Sequence, residues 1–223
     1  MLVRDRMTSD VLTVAPDTPL EHAMTLMRSR HIRRLPVLQH GRLVGIVTWT
    51  DLMRAQPSPA STLSRWEIPA LLEKAQVGEV MTPSPETVTP GTPLEEAAAT
   101  MRQRKIGGLP VVANGTLVGI VTESDIFDAF IALLGVRTPS YRITLDVDDS
   151  AAALPDIAAA FRLLGLRLYS VSTYAAARGR LRVVVRVERA IPLPSLVDAL
   201  RERGLETVHA ADGTKVIIEA ARV

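Results

Sequence analysis

"MTSDVLTVAPDTPLEHAMTLMRSRHIRRLPVLQHGRLVGIVTWTDL", starting at Met7, aligns without a gap with "MTPSPETVTPGTPLEEAAATMRQRKIGGLPVVANGTLVGIVTESDI", starting at Met81, at an offset of 74 residues. Identical residues occupy 25 of the 46 positions. Self-similarity at that level means one fold written twice. A unit of roughly 50 residues buries too little surface to stand alone, so the two copies are expected to pack together. Their sheets should face each other about a pseudo-twofold axis.

Each copy reads as β-α-β-β-α. A short extended piece holds Thr13-Val14 or Thr87-Val88. Thr18 and Thr92 are the expected helix N-caps, with Pro19 and Pro93 at the first helical position. Leu20, Ala23, Met24 and Met27 then recur at i, i+3, i+4 and i+7, and Leu94, Ala97, Ala98 and Met101 repeat that stripe. "LPVL" or "LPVV" is a short strand. A turn around Gly41 or Gly115 leads into the buried strand "LVGIV". A last helix starts at Thr48 or Thr122. Aromatic residues are 4% of the chain against 47% apolar residues, so the core must be built from aliphatic side chains and Met. The domain reading is residues 1–138 for the pair: repeat one 1–56, linker and helix 57–76, repeat two 77–138. The linker begins Pro/Ser-rich and ends as an amphipathic helix containing Trp66, Leu71 and Leu72.

Residues 139–223 follow another pattern. "YRITLDV" alternates as a strand, and "ALPDIAAAFRLLG" is a helix stopped at Gly165. "LRLYSVSTY" and "GRLRVVVRVE" form a hairpin turning near Gly179. "PLPSLVDALRERG" is a helix ended by Gly204, "LETVHAA" is a strand, and "KVIIEA" is a further edge strand. Asp148, Asp149 and Ser150 are placed to cap the first of these helices. The order β-α-β-β-α-β is ferredoxin-like, and the fold class of the whole chain is α/β (α+β).

Met-Thr, Thr-Val-x-Pro, Leu-Pro-Val and Gly-Ile-Val-Thr-x-x-Asp each occur twice and in order. On these motifs the first part resembles a tandem pair of CBS (cystathionine-β-synthase) domains, a Bateman module. Residues 140–223 resemble an ACT domain by element order and length. The combination is similar to the acetoin-utilisation regulatory proteins. The resemblance implies a regulatory module that binds an adenine nucleotide (AMP, ADP or ATP) between the repeats, with S-adenosylmethionine or NADH as alternatives. It implies phosphate and ribose contacts from Thr48 and Asp51 and from Thr122 and Asp125. Adenine contacts would come from Ile32, Arg33 and Arg34 and from Ile106, Gly107 and Gly108, and Thr18 or Thr92 would add a hydroxyl. A bound triphosphate can bring Mg²⁺. The ACT-like part lacks the Gly that effector-binding members carry after their first strand, and is read as a dimerisation or signal-output piece.

The chemistry of these residues agrees with that role. A helix N-terminus presents free N–H groups to a phosphate, and a carboxylate one turn on can accept from both ribose hydroxyls. Gly45 and Gly119 would let a ligand approach the backbone closely. Gly107-Gly108 leaves room for a flat base, and Arg33 and Arg34, clustered with Arg28 and Arg30, can reach a di- or triphosphate. The plainer alternative is that Thr-x-x-Asp is only a capping box. Trp49 has Glu123 as its counterpart and can stack on a ligand or fill a dimer contact.

Other functions find less support. His22, His31, His40 and His209 show no metal-ligand spacing, and no phosphate loop or nucleophile elbow is present, so no enzyme is expected. A net charge of +2 without helix-turn-helix or aromatic-platform motifs makes nucleic acid an unlikely partner. Zero Cys excludes disulfides, and no apolar run is long enough to span a bilayer. The expectation is a cytoplasmic homodimer acting on itself or on a partner enzyme, with a ligand-free scaffold as the alternative.

Overall fold

The computed structural model describes residues 1–56 and 75–213. The linker helix with Trp66, Leu71 and Leu72 and the "KVIIEA" strand lie outside the described residues. The chain divides into two compact units, Met1–Ile126 and Phe127–Val223. None of the described helices is long and apolar enough to cross a membrane.

In the first unit, α1 (Leu20–Ser29) is followed by the hairpin β1 (Arg34–Gln39) and β2 (Arg42–Thr48), then α2 (Trp49–Arg54). A turn of helix, α3 (Val77–Val80), and a two-residue strand, β3 (Thr82–Pro83), open the second copy. It continues with α4 (Leu94–Arg104), β4 (Gly108–Ala113), β5 (Thr116–Thr122) and the start of α5 (Glu123–Leu133), whose residues from Phe127 on belong to the second unit. The expected β-α-β-β-α order holds, with Val14 and Val88 supplying the first extended piece by parallel bridges to Val37 and Val111. Both hairpins turn at a residue pair with positive φ, His40 (50°) and Asn114 (50°) each before a Gly at 78°. That is the geometry of a type I′ turn, whose twist matches the flanking strands. Leu20, Ala23, Met24 and Met27 are buried with Leu35, Val37, Val47 and Leu52 in one aliphatic core.

The two copies exchange their opening segments. Thr8 exchanges backbone hydrogen bonds with Ile120 of the second copy, both at 2.9 Å. Thr82 and Pro83 pair with Ile46 and Gly45 of the first. The exchange continues upstream: Leu94 N–H donates to the Met1 carbonyl at 3.0 Å, and Leu20 N–H to the Ala75 carbonyl at 3.0 Å. Each copy's leader therefore completes the other.

This exchange corrects two expectations. Thr18 and Thr92 do not cap α1 and α4, because the first helical N–H groups are already taken by the leaders. Pro19 and Pro93 occupy the cap position. The Thr hydroxyls turn back and accept from the Ala15 and Thr89 N–H groups at 3.0 and 3.1 Å. Gly45 and Gly119 likewise do not open the backbone to a ligand. A Cβ at Gly119 would stand 2.6 Å from Met7 Sδ and 3.1 Å from the Thr8 carbonyl, and one at Gly45 would overlap Met81 Sδ. These glycines are the seats of the leader methionines.

The second unit comprises β6 (Tyr141–Asp148), α6 (Ala153–Leu163), β7 (Leu168–Ala175), β8 (Arg180–Val187), α7 (Leu193–Arg201) and β9 (Glu206–Asp212). Its four described strands are ordered β7-β8-β6-β9, all antiparallel. Phe161, Ile143, Leu145, Val185, Leu196 and Leu200 are buried between the sheet and its helices. The expected Asp-Ser cap of α6 is not made: the cap residue is Ala152, without a side-chain bond. Asp148 instead accepts from Arg180 at 2.6 Å. Arg180 also bonds Asp146 at 2.6 Å, and this contact holds the Asp146 carboxyl below the usual carboxylate range.

Arg186 on β8 is only 8% exposed. Among the described residues its one side-chain hydrogen bond goes to Ser140 Oγ at 3.3 Å, and its direct neighbour on β6 is Arg142. Burial, with Arg142 adding to it, lowers its pKa below the ordinary arginine value. Among the described residues no carboxylate pairs with this buried cation, which makes it a net cost, so Arg186→Met should stabilise this unit by about 1–4 kcal/mol. Urea unfolding with an unchanged or lower midpoint would contradict that.

Candidate functional site

Both Thr-x-x-Asp motifs stand where an extended strand passes into a helix. The strand end leaves the Thr hydroxyl and the Asp carboxylate facing each other across the first helical turn. In the first copy Asp51 Oδ2 accepts from the Thr48 N–H at 2.9 Å and the Thr48 hydroxyl at 2.6 Å, and Asp51 N–H donates to Thr48 Oγ1 at 3.4 Å. In the second, Asp125 Oδ2 accepts from the Thr122 N–H and hydroxyl, both at 2.7 Å. The capping box is thus complete in the first copy, while the second makes only its carboxylate half. One carboxylate oxygen takes both bonds, and among the described residues the other oxygen of Asp125 has no partner.

The segment before each first hairpin strand is tied to the same corner. Trp49 N–H donates to the Arg33 carbonyl at 2.8 Å, and Glu123 N–H to the Gly107 carbonyl at 3.1 Å. Backbone and cap therefore belong to one copy, but side chains cross to the other. A cleft of about 490 Å³ is lined by Ile32, Arg33 and Arg34 from the first copy and by Gly107, Thr122 and Asp125 from the second. Thr48, Asp51, Ile106, Gly108, Thr18 and Thr92 do not line it. Asp10 and Glu123 do line it, and sequence reasoning did not include them. Asp10 reaches the cleft only because its leader is exchanged, and no motif marks that.

Gly107-Gly108 does not leave an open space for a base. The Arg34 side chain lies over it: a Cβ at Gly107 would come 2.7 Å from Arg34 Nη2 and 3.0 Å from Glu123 Oε2. Burial lowers the Arg34 pKa; Glu123 opposes that, Arg33 adds to it, and Asp125 opposes it again. Trp49 is half-buried against the core of its own copy, with the Arg28 guanidinium 5.2 Å from its ring centroid. That distance suits a cation–π contact. Among the described residues no cluster of three His, Asp or Glu side chains could hold a metal ion.

The CBS domain family model matches residues 3–58 and 77–132. A CBS domain-containing protein of Dictyostelium discoideum is 36% identical over 136 residues, covering 60% of this chain and 94% of that protein. An inosine-5'-monophosphate dehydrogenase of Korarchaeum cryptofilum is 40% identical over 119 residues, 53% of this chain but 22% of the dehydrogenase. Among solved structures, a Vibrio cholerae protein assigned to acetoin utilization matches at 35% identity and TM-score 0.51, covering 61% of this chain and 95% of that one. CBSX2, a chloroplastic CBS protein of Arabidopsis thaliana, was solved with AMP. It matches at 34% identity and TM-score 0.50, covering 59% and 97%. A CBS domain pair solved with 5'-methylthioadenosine and S-adenosylmethionine matches at 28% identity and TM-score 0.50, covering 59% of this chain and 97% of that one.

Proposed function

The chain belongs to the CBS-domain family, and from that premise we propose that it is a regulatory module sensing an adenine nucleotide, AMP, ADP or ATP, between its two repeats. The observation that carries this reading is the cleft itself: two arginines from one copy face a hydroxyl–carboxylate corner from the other. The free oxygen of Asp125 suits a ribose hydroxyl, and the N-terminus of α5 with Arg33 and Arg34 suits phosphate. Ile32 supplies an apolar wall. Related pairs bind AMP, methylthioadenosine and S-adenosylmethionine, which supports an adenosine ligand here. Thr48 and Asp51 would serve a second, weaker site. Mg²⁺ would enter only with a triphosphate.

The second unit is read as an ACT-like, ferredoxin-like output domain, supported by its β-α-β-β-α-β order and antiparallel sheet. Ligand would favour one arrangement of the repeats by its unequal affinity for the alternatives. That change would pass to the second unit or to a partner, with the protein acting in the cytoplasm as a homodimer. Calorimetry against AMP, ADP, ATP, S-adenosylmethionine and NADH tests the reading. An adenine nucleotide should bind, and at about 100 times its dissociation constant it should stabilise the fold by about 2.7 kcal/mol. Tighter binding of S-adenosylmethionine would replace the nucleotide by a sulfonium ligand held by Asp10, Glu123 and Asp125. No binding by any of the five would leave a scaffold.

A further inference from the structure

We propose that Arg34 occupies the base seat of the cleft in the free protein, yields it to an adenosine ligand, and takes that ligand's phosphate in exchange. The proposal rests on the nucleotide reading above and adds a selection rule to it: the cleft favours phosphorylated over unphosphorylated adenosine because its own arginine must be displaced and then rewarded with an anion.

Three observations converge on Arg34. Its guanidinium is packed on the Gly107-Gly108 backbone so closely that a Cβ on either glycine would meet it. It is half-buried, yet among the described residues no carboxylate pairs with it and no acceptor bonds it. The carboxylates of Glu123 and Asp125 stand near enough to act on its charge without bonding it. A guanidinium with five donors and no acceptor is a partner in waiting for an oxyanion.

The repeat shows how this arose in the sequence. At the offset of 74 residues, Arg33 and Arg34 correspond to Gly107 and Gly108. One copy carries two cations where the other carries two residues without side chains, and the cation of one lies on the bare backbone of the other. A guanidinium is flat and packs on a peptide plane as a purine does, so the two compete for the same floor. The side chain has several rotatable bonds and can swing from that floor toward the α5 N-terminus, where phosphate is favoured. Thr48 and Asp51 face no equivalent arginine, because their counterparts of Arg33 and Arg34 are the glycines.

The test is calorimetry of the full chain at fixed salt with adenosine, AMP, ADP and ATP, on the natural protein, Arg34→Ala and Arg34→Met. Arg34→Ala should bind adenosine severalfold more tightly and ADP or ATP roughly 10-fold more weakly. Arg34→Met, which fills the seat without charge, should lose the phosphorylated ligands and gain nothing for adenosine. Thermal unfolding confirms that each variant is folded. Adenosine and ADP affinities that move in the same direction in Arg34→Ala, or that do not move, overturn the proposal while leaving the nucleotide site intact. Failure of all four compounds to bind the natural protein and both variants overturns the nucleotide reading and this one together.

Discussion

Gly119→Val should lower the stability of the first unit by about 1–3 kcal/mol, the usual cost of forcing extra atoms into a filled space. The Cβ alone would press on Met7 Sδ at 2.6 Å and on the Thr8 carbonyl at 3.1 Å. The methionine can move, but the carbonyl belongs to a backbone already bonded to Ile120 in both directions at 2.9 Å. Relief therefore means lifting the leader off β5 and losing that pair of hydrogen bonds. For a unit of this size each kcal/mol shifts the melting midpoint by several degrees. Met7→Ala combined with Gly119→Val should recover part of the loss, because the two side chains contend for one space. A Gly119→Val protein as stable as the natural one would show that the leader is not held at this seat.

Asp125→Ala should weaken adenine nucleotide binding about 100-fold, the equivalent of one to two charge-assisted hydrogen bonds. The same change removes the carboxylate that ties the Thr122 N–H and hydroxyl, so it also costs about 1 kcal/mol at the start of α5. Asp51→Ala carries the same capping loss at α2 without touching the cleft, and is the control for that effect. Calorimetry separates them: the tighter binding step should collapse in Asp125→Ala and remain in Asp51→Ala, which loses at most the weaker site. Equal, small effects in both would reduce Thr-x-x-Asp to a helix cap in each copy.

The local elements were legible because each was signalled by residues adjacent in the chain. The apolar stripes of α1 and α4, the hairpin turns at Gly41 and Gly115, and the helix stops at Gly165 and Gly204 all depend on periodicity or on φ. The gap-free repeat likewise announced one fold written twice. Which copy a segment joins was not legible. Met7 and Met81 are the same residue type, Gly45 and Gly119 sit in the same "LVGIV", and either leader fits either seat. The misassigned caps at Thr18 and Thr92 follow from that blindness, since the carbonyls that satisfy α1 and α4 arrive from Ala75 and Met1. The seat of Arg34 on Gly107-Gly108 was hidden for the same reason. Each half of that contact was read inside its own copy, where arginine suggested phosphate and glycine suggested room.

The exchanged leaders also bear on ancestry. A half-length precursor with one leader and one repeat, built on the same pattern, would fill its methionine seat by swapping arms with a second molecule. Duplication of such a precursor would join two chains already clasped, and would free positions such as Arg34 and Gly108 to differ, as they could not in two identical chains.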